Sequence, residues 1–516
     1  MKWYKKVLIA LLSIIVLIVL LNIGLNYWIE KKLPQIINEN NNSPYQITYK
    51  KLEISLLSRN LHATDIVLVP KTSLNSEKQK AGYYAKVRSI EVKGFKIWNM
   101  IAGNKITART LIINYPEATL FKTGEEKDKR PVSKNVEYFN KIIYVSDIYF
   151  NHGNFNITDI AKDRRILRAD NITFQVEGIL VTDKTLSEKI PFTYSDFKIT
   201  TDSIYYRTPY YHVNTKSITA TKDDLKIEAP KLTPVYSRSA FIKLIPTEKD
   251  LYTIAMKSIS INNIDWGYKA DKFFFHTNLL TINGANANVY RAKMNVDDKT
   301  KKKLFSKLLR DVKFDLRVDT LLIKNSRVVY EEEKNMAHGA GKIILGKFNA
   351  YVVNISSGFG KNKLKNTNVH VTCSFMDISP FKTDWTFNVL DRSDSFRIKG
   401  SILNIPAERL APFTKPYSNT ILEGELDEVY FDFRGNDDLA KGTFGINYDD
   451  LKVKIYKKED RKKKNKLLST IANLFVKNDT KEKVKRVEVE VQRIKEKSFF
   501  NLLWRTSAEG LKKILL

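Results

Sequence analysis

The sequence contains little cysteine, histidine, glycine or proline. Cys373 is the single cysteine in 516 residues, which excludes an intrachain disulfide and a cysteine-rich zinc site. The six histidines are dispersed, and no two have the spacing of metal ligands on one element. With 20 glycines and 14 prolines, the chain is neither collagen-like nor of low complexity. Because large secreted eukaryotic domains usually carry disulfides, the composition favours a bacterial envelope or an intracellular setting.

The charge is strongly basic, which first suggests a nucleic-acid partner. Lys and Arg number 87 against 57 Asp and Glu, a formal net charge of +30. Apolar residues make up 43% and aromatic residues 11%, so the chain is not a disordered polybasic tail. The excess is greatest in residues 451–516, with 20 Lys and Arg against 8 Asp and Glu. Elsewhere it is spread through strands and turns without a concentrated basic stripe.

An apolar segment near the amino terminus predicts a membrane anchor. It begins at Val7 and ends at Leu25, close to the roughly 20 residues that span a bilayer as a helix. It exceeds the 7–15 residue core of a signal peptide, and no A-x-A-like cleavage site follows it. Lysines 2, 5 and 6 favour a cytoplasmic amino terminus. The remaining residues then lie outside the cytoplasm, away from chromosomal DNA, so we expect no nucleic-acid partner.

The rest of the sequence predicts β-structure. Ile, Val, Tyr, Phe and Thr alternate with polar residues from residue 45 onwards. A short pattern recurs, in which an aliphatic run meets an Asn-bearing break and a second alternating run follows. We interpret each break as a tight hairpin turn, because Asn and Gly tolerate positive φ. The breaks end the runs at residues 112–114, 148–151, 259–263, 280–284 and 322–325.

Three segments have helical periodicity. Residues 301–312 place Leu304, Phe305, Leu308, Leu309 and Val312 on one face, and residues 467–476 are a second candidate. The third, residues 499–516, combines apolar and basic side chains. It fits either an interfacial helix on anionic headgroups or a helix that covers the end of a β-structure. Its candidate membrane-contacting residues are Phe500, Leu503, Trp504, Lys512 and Lys513.

These patterns predict three regions and no catalytic chemistry. Residues 1–40 form a cytoplasmic stub, the anchor and a juxtamembrane helix; residues 41–456 form the β-rich body; residues 457–516 form a basic strand and helix module. The sequence contains no dinucleotide or phosphate loop and no G-x-S-x-G elbow. We therefore expect no enzymatic activity, no cofactor and no metal site.

The combination resembles the AsmA-like family of bacterial envelope proteins. The similar segments are PYQITY at 44–49, LEIS at 52–55, LHATDIVL at 61–68, residues 225–237, the 259 and 280 breaks, and residues 442–453. The resemblance implies an inner-membrane anchor and a periplasmic body formed by an extended, curved antiparallel β-groove. It also implies that the apolar face of this groove carries phospholipids between the inner and outer membranes. The carboxyl terminus would then meet the outer membrane or one of its proteins.

Seven apolar members of alternating runs are the candidates for the groove lining. They are Ile148, Phe150, Ile259, Ile261, Leu280, Ile282 and Leu322. Packing inside a closed β-sandwich would produce the same alternation, so the pattern alone leaves both architectures open. Two other functions remain open. One is an assembly factor that binds outer-membrane proteins by strand pairing. The other is an envelope enzyme, such as a glycan hydrolase.

Overall fold

The structure is a computed structural model, and it describes residues 44–55, 58–73, 81–96, 105–123, 142–457, 465, 469, 480 and 483–515. The predicted fold class is confirmed at the coarse level, because these residues are mainly β-strand with a few short helices. The predicted anchor from Val7 to Leu25 and most of the helix predicted at 467–476 lie outside the described residues. No helix within the described ranges combines the length and apolarity required to cross a membrane.

The described residues form 25 strands. The first twelve are β1 Tyr45–Thr48, β2 Lys51–Ser55, β3 Asn60–Pro70, β4 Gly82–Lys93, β5 Lys105–Lys122, β6 Ile142–Asp159, β7 Arg164–Val181, β8 Asp196–Thr201, β9 Ser203–Arg207, β10 Tyr211–Thr215, β11 Ser217–Thr221 and β12 Leu225–Glu228. The others are β13 Lys231–Pro234, β14 Asp250–Ala255, β15 Ser258–Lys269, β16 Lys272–Asn283, β17 Asn286–Ala292, β18 Asp315–Glu333, β19 Gly341–Ser356, β20 Thr367–Phe375, β21 Ser379–Phe387, β22 Phe396–Pro406, β23 Thr420–Gly435, β24 Leu439–Ile455 and β25 Lys485–Gln492.

Helices are few in the described part of the chain. They are α1 Asp183–Leu186, α2 Arg238–Leu244, α3 Phe305–Arg310, α4 Ala411–Ser418 and α5 Phe499–Leu515, with 3₁₀ turns at Lys71–Ser73 and Ala407–Leu410. The prediction at 301–312 is correct for α3 but wrong about one residue. Leu304 is buried, whereas Leu308 is 50% exposed and does not belong to the packed face.

The chain divides into two compact units. Unit 1 contains the residues up to 208 together with 213–227, and unit 2 contains 209–212 together with the residues from 228 onwards. Strand β25 and helix α5 belong to unit 2, in which β25 pairs with β24. The boundaries predicted at 40/41 and 456/457 remain predictions.

The resemblance implied an antiparallel sheet, but the strands of unit 1 are not all antiparallel. Strands β2 to β5 pair in antiparallel order, and so do β6, β7 and β8. Strands β5 and β6, however, are parallel over their whole length. A parallel neighbour requires a long connection, and segment 123–141 between the two strands supplies it.

Parallel pairing recurs in unit 2. Strand β18 runs parallel to β16 along its first half and parallel to β17 along its second half. From β18 to β25 each strand pairs antiparallel with the next. The long connection between β17 and β18 contains α3, which again fits the length that a parallel neighbour needs.

The recurring Asn-bearing breaks are not hairpins, so this prediction is wrong. Residues on both sides of the 112–114 break lie in the single strand β5, and those around 148–151, 259–263 and 322–325 lie within β6, β15 and β18. The 280–284 break separates β16 from β17, but both strands pair with β18 and continue in the same direction. Each break is an irregularity within one line of pairing, with positive φ at Tyr115, His152, Asn263, Gly284 and Asn325. The register shifts at His152 and Asn325, as at a β-bulge, whereas β5 and β15 keep one register across Tyr115 and Asn263. Positive φ is the backbone conformation that a tight turn also needs.

Candidate functional site

One face of the unit 1 sheet is apolar from β2 to β8. Paired residues on neighbouring strands point to the same side of a sheet, so the register identifies the members of each face. Ile148 pairs with Leu111 and Val176, and Phe150 pairs with Ile113 and Phe174. We call this set the unit 1 apolar face. Its members, two per strand, are Leu52, Ile54, Leu61, Ala63, Ile90, Val92, Leu111, Ile113, Ile148, Phe150, Phe174, Val176, Phe197 and Ile199.

Most of the unit 1 apolar face is only partly shielded by the described residues. Leu52, Ala63 and Val176 are buried, while the other members, including both predicted lining residues Ile148 and Phe150, have intermediate exposure. The only buried cluster of unit 1 among the described residues is centred on Leu52 and Ala63. A sandwich core of this size would bury most of its apolar side chains. The exposure pattern therefore resembles an open surface more than a closed core.

The opposite face of the same strands is polar. The register places Glu53 opposite His62, which pairs with Glu91, and Tyr149 opposite Gln175, which pairs with Lys198. Strand β5 is the exception, because Ile112 stands between Glu91 and Tyr149 on this face, so the face is largely rather than wholly polar.

The bulge in β6 keeps the apolar face continuous along that strand. A Cβ built on Gly153 would lie 2.1 Å from the ring of Phe150, so positions 150 and 153 point to the same side although they are three positions apart in the strand. The bulge at His152 therefore shifts the alternation by one residue, which brings Phe155 and Ile157 onto the same face as Phe150. Without the shift, the apolar side chains beyond the bulge would point to the polar side.

Side-chain hydrogen bonds join the bulges of neighbouring strands. Asn151 Nδ2 donates to Asn114 Oδ1 over 3.0 Å, and Asn114 Nδ2 donates to Ser89 Oγ, also over 3.0 Å. On the next strands, His152 Nδ1 lies 2.7 Å from Asn171 Oδ1, and Asn171 Nδ2 donates to Asp202 over 2.7 Å. This line of polar contacts fixes the register at the level where the alternation shifts.

Unit 2 carries a second apolar face, and it contains four of the five lining residues predicted there. Ile259 pairs with Ile282, and Ile261 pairs with Leu280. The register followed onward also brings Thr383 and Gly400 to this side. We call its apolar residues the unit 2 apolar face: Ile259, Ile261, Leu280, Ile282, Leu321, Ile323, Ala350, Val352, Val369, Val371, Trp385, Ile398 and Phe433.

Leu322 lies on the other side of this sheet. It pairs with Thr281 and Tyr351, and Tyr351 pairs with His370. The structure therefore groups Leu322 with the polar face and separates it from the other predicted lining residues. Its neighbours Leu321 and Ile323 occupy the apolar face instead.

The exposure of the unit 2 apolar face changes along the sheet. Ile259, Ile261, Leu280 and Ile282 have intermediate exposure, whereas Ile398 is 6% and Phe433 is 0% exposed. The buried part belongs to a large core that also includes residues of β24, β25 and α5. The first strands of this face are thus partly exposed and its last strands are covered.

Helix α5 covers the last strands. The Phe499 ring stacks on Trp385 with centroids 4.8 Å apart and meets Phe396 edge-on at 5.0 Å. Leu502 and Thr506 are buried, and a Cβ on Gly510 would lie 2.5 Å from the side chain of Phe444. This contact corresponds to the interpretation of residues 499–516 as a covering helix.

The predicted membrane-contacting residues of α5 lie largely on its outer side. Phe500 is 65% and Trp504 is 53% exposed, and Leu503 is half-buried. Lys512 is exposed, and Lys513 donates to the carbonyl of Glu488 over 3.0 Å. The helix therefore keeps exposed aromatic side chains while its inner side packs on the sheet.

The polar face of unit 2 carries ion pairs between neighbouring strands. His370 lies 2.8 Å from Asp384, and Arg397 binds both carboxylate oxygens of Asp432, at 2.9 and 2.6 Å. The hydrogen bond from Arg397 lowers the pKa of Asp432 below its usual value.

The single cysteine is unreactive. Burial raises the pKa of the Cys373 thiol to about 12, which makes the thiol a poor nucleophile.

A second set of charges lies near the end of β18, where Glu331 and Glu333 are buried and Arg238 is exposed. Tyr290 donates to Glu333, while Arg238 pairs with Glu331 and lies 4.1 Å from the centre of the Tyr290 ring. Burial, followed by the hydrogen bond to Glu333, raises the pKa of Tyr290. Each charge in this set has a partner, as a stable buried network requires.

The described residues bring together no group of three or more His, Cys, Asp or Glu side chains that could hold a metal ion. The features that stand out are therefore the two apolar faces. Comparison with known proteins adds no identification, because no family model matches the chain and no curated protein matches it.

Proposed function

We propose that this chain is an AsmA-like lipid-transfer protein, anchored in the bacterial inner membrane, whose β-rich body carries phospholipid acyl chains on its apolar faces. The observation that carries the proposal is the unit 1 apolar face, which is apolar at both positions on seven strands yet remains partly exposed. Transferring apolar surface out of water is favourable by roughly 25 cal/mol per Å². A sheet that leaves such a surface open gains free energy when acyl chains cover it.

The proposal involves no covalent step. Acyl chains would lie along the apolar side chains while the headgroups remain in water, because burying a charged phosphate without a partner is costly. The amphipathic strands suit this division, since polar and apolar side chains occupy separate faces. In the proposal, the body lies in the periplasm and the exposed Phe500 and Trp504 of α5 provide a membrane contact near the carboxyl end.

Site-specific photocrosslinking tests the proposal. A benzophenone amino acid at position 150 is on the apolar face, and the same group at position 149 of the same strand is on the polar face. After irradiation in the producing cells, we expect phospholipid adducts on the purified protein at position 150 and few at position 149, measured by mass spectrometry.

Position 149 is thus a matched control, because it is adjacent to position 150 in the same strand but lies on the opposite face. Equal adduct yields at the two positions would contradict a face-specific lipid site. Adducts with protein alone at position 150 would instead support the assembly-factor alternative.

A further inference from the structure

Three connections meet at one end of unit 2. They are the β15–β16 turn, residues 311–314 before β18, and residues 357–366 after β19. Ser357 Oγ accepts from Leu316 N over 3.0 Å and donates to Phe314 O over 2.9 Å. The Phe273 ring lies 5.3 Å from that of Phe314, and Lys272 Nζ lies 5.5 Å from the centre of the Phe359 ring. We call this surface the lysine end of unit 2.

The lysine end is basic. Its exposed lysines are Lys269, Lys272, Lys313, Lys361, Lys363 and Lys365. The nearby acids are fewer, and two of them already have partners: Asp311 pairs with Lys303 and Asp315 lies 3.1 Å from His276. The surface therefore has an excess of positive charge that attracts anionic groups.

Aromatic side chains accompany the lysines on the β15–β16 hairpin. Trp266 is 38% and Tyr268 is 45% exposed, and the register pairs them with Phe275 and Phe273 on the same face. Trp and Tyr next to Lys form the combination that membrane proteins place at the boundary between lipid and water. A basic surface that binds nucleic acid would also use aromatic residues, but as a stacking platform along a groove.

The apolar face leads directly to these aromatic residues. Asn263 has positive φ, and β15 keeps the same register with β16 on both sides of it. Strand β15 therefore carries apolar side chains along its length, from Ile259 and Ile261 through Ile264 to Trp266 and Tyr268. The aromatic residues thus share a strand with Ile259 and Ile261 of the unit 2 apolar face, on which acyl chains could lie. This arrangement favours a lipid partner over a nucleic acid or a folded protein.

We propose that the lysine end of unit 2 binds the surface of a bilayer that contains anionic phospholipid. Its role as the place where acyl chains pass between the bilayer and the unit 2 apolar face rests on the proposed function. The membrane contact itself does not depend on it, because it requires only the lysines and the exposed Trp266 and Tyr268.

Vesicle capture tests this contact with the full chain. The protein is reconstituted into phosphatidylcholine proteoliposomes and mixed with dye-labelled, protein-free vesicles, either of phosphatidylcholine alone or with added phosphatidylglycerol. We expect capture of the phosphatidylglycerol vesicles, and its loss in high salt because salt screens the attraction. Replacing Lys269, Lys272, Lys361, Lys363 and Lys365 by Gln should lower capture by more than about tenfold.

Two further variants make the experiment specific. Exposed lysines beside the end of β18, rather than its start, serve as the control: Lys243 lies in α2, which packs on Tyr290, and Lys334 directly follows β18. Lys243→Gln with Lys334→Gln should leave capture unchanged. Trp266→Ser with Tyr268→Ser should lower capture without removing a charge. Equal capture of vesicles with and without phosphatidylglycerol would overturn the inference. So would a control variant that lowers capture as much as the variant at the lysine end.

Measuring co-purified phospholipid on the same preparations separates the two proposals. If lipid co-purifies with a protein that does not capture vesicles, the proposal for the lysine end is contradicted and the proposed function is not. Capture by a protein that carries no lipid would contradict the proposed function alone.

Discussion

At the residue scale, the structure depends on a few positions where the backbone or a ring leaves no room for a side chain. Gly153 is the clearest, because the Phe150 ring occupies the space where its Cβ would be, at 2.1 Å. Because glycine has no Cβ, the Phe150 ring can lie over position 153 and still belong to the apolar face.

We expect Gly153→Ala to destabilise unit 1 by about 1–3 kcal/mol, because the Phe150 ring must move to an unfavourable position. Urea unfolding followed by tyrosine fluorescence measures the change. Gly267→Ala is the matched control: it is also in a strand, and its Cβ would meet Phe274 at 3.4 Å, an ordinary contact. A Gly153→Ala protein as stable as the control would contradict this account of the bulge.

At the element scale, α5 shows how packing overrides intrinsic helix propensity. Glycine is the poorest ordinary helix former, yet Gly510 lies inside the helix at the point of contact with Phe444. The close approach of helix and sheet requires a residue without a Cβ.

We therefore expect Gly510→Ala to destabilise unit 2, although alanine at an exposed helix position would stabilise it by about 1 kcal/mol. Ala508→Gly, at an exposed position of the same helix, gives the scale of the propensity effect alone. Both are measured by thermal unfolding followed by circular dichroism. A stabilised Gly510→Ala protein would mean that α5 does not pack closely on β24.

At the scale of the whole molecule, the proposed function requires the apolar faces to remain accessible after folding. Ile261 is partly exposed and pairs with Leu280, whereas its neighbour Ser260 lies on the other face. The two positions distinguish an open lipid surface from a closed core.

We expect Ile261→Asp to abolish the transfer of fluorescent phospholipid between donor and acceptor vesicles, because a carboxylate interrupts the apolar path. The free energy of unfolding should change by less than about 1 kcal/mol, as is usual away from a packed core. Ser260→Asp should leave both properties unchanged. Unfolding of the Ile261→Asp protein, with a loss of about 3 kcal/mol or more, would indicate a buried core instead.

The order of residues along the chain was sufficient to predict that the body is mainly β, that strands alternate in polarity, and that residues 485–515 contain a strand and an amphipathic helix. These properties follow from side-chain order along one segment, because a strand has period two and a helix has period 3.6. Predictions of this kind hold for β25, with Val487, Val489 and Val491 on one side, and for α5.

The tertiary structure alone decided which strand pairs with which. A residue with positive φ beside an Asn suits a tight turn and an irregular position within a strand equally. The pattern at residues 112–114 therefore acquires its meaning from the pairing of β5 with β4 and β6 on both sides of the break. Leu322 stands between Leu321 and Ile323, and three adjacent apolar residues do not indicate which of them faces the apolar side. The partner strand fixes the face, because a shift of one residue in the register turns every side chain to the other side.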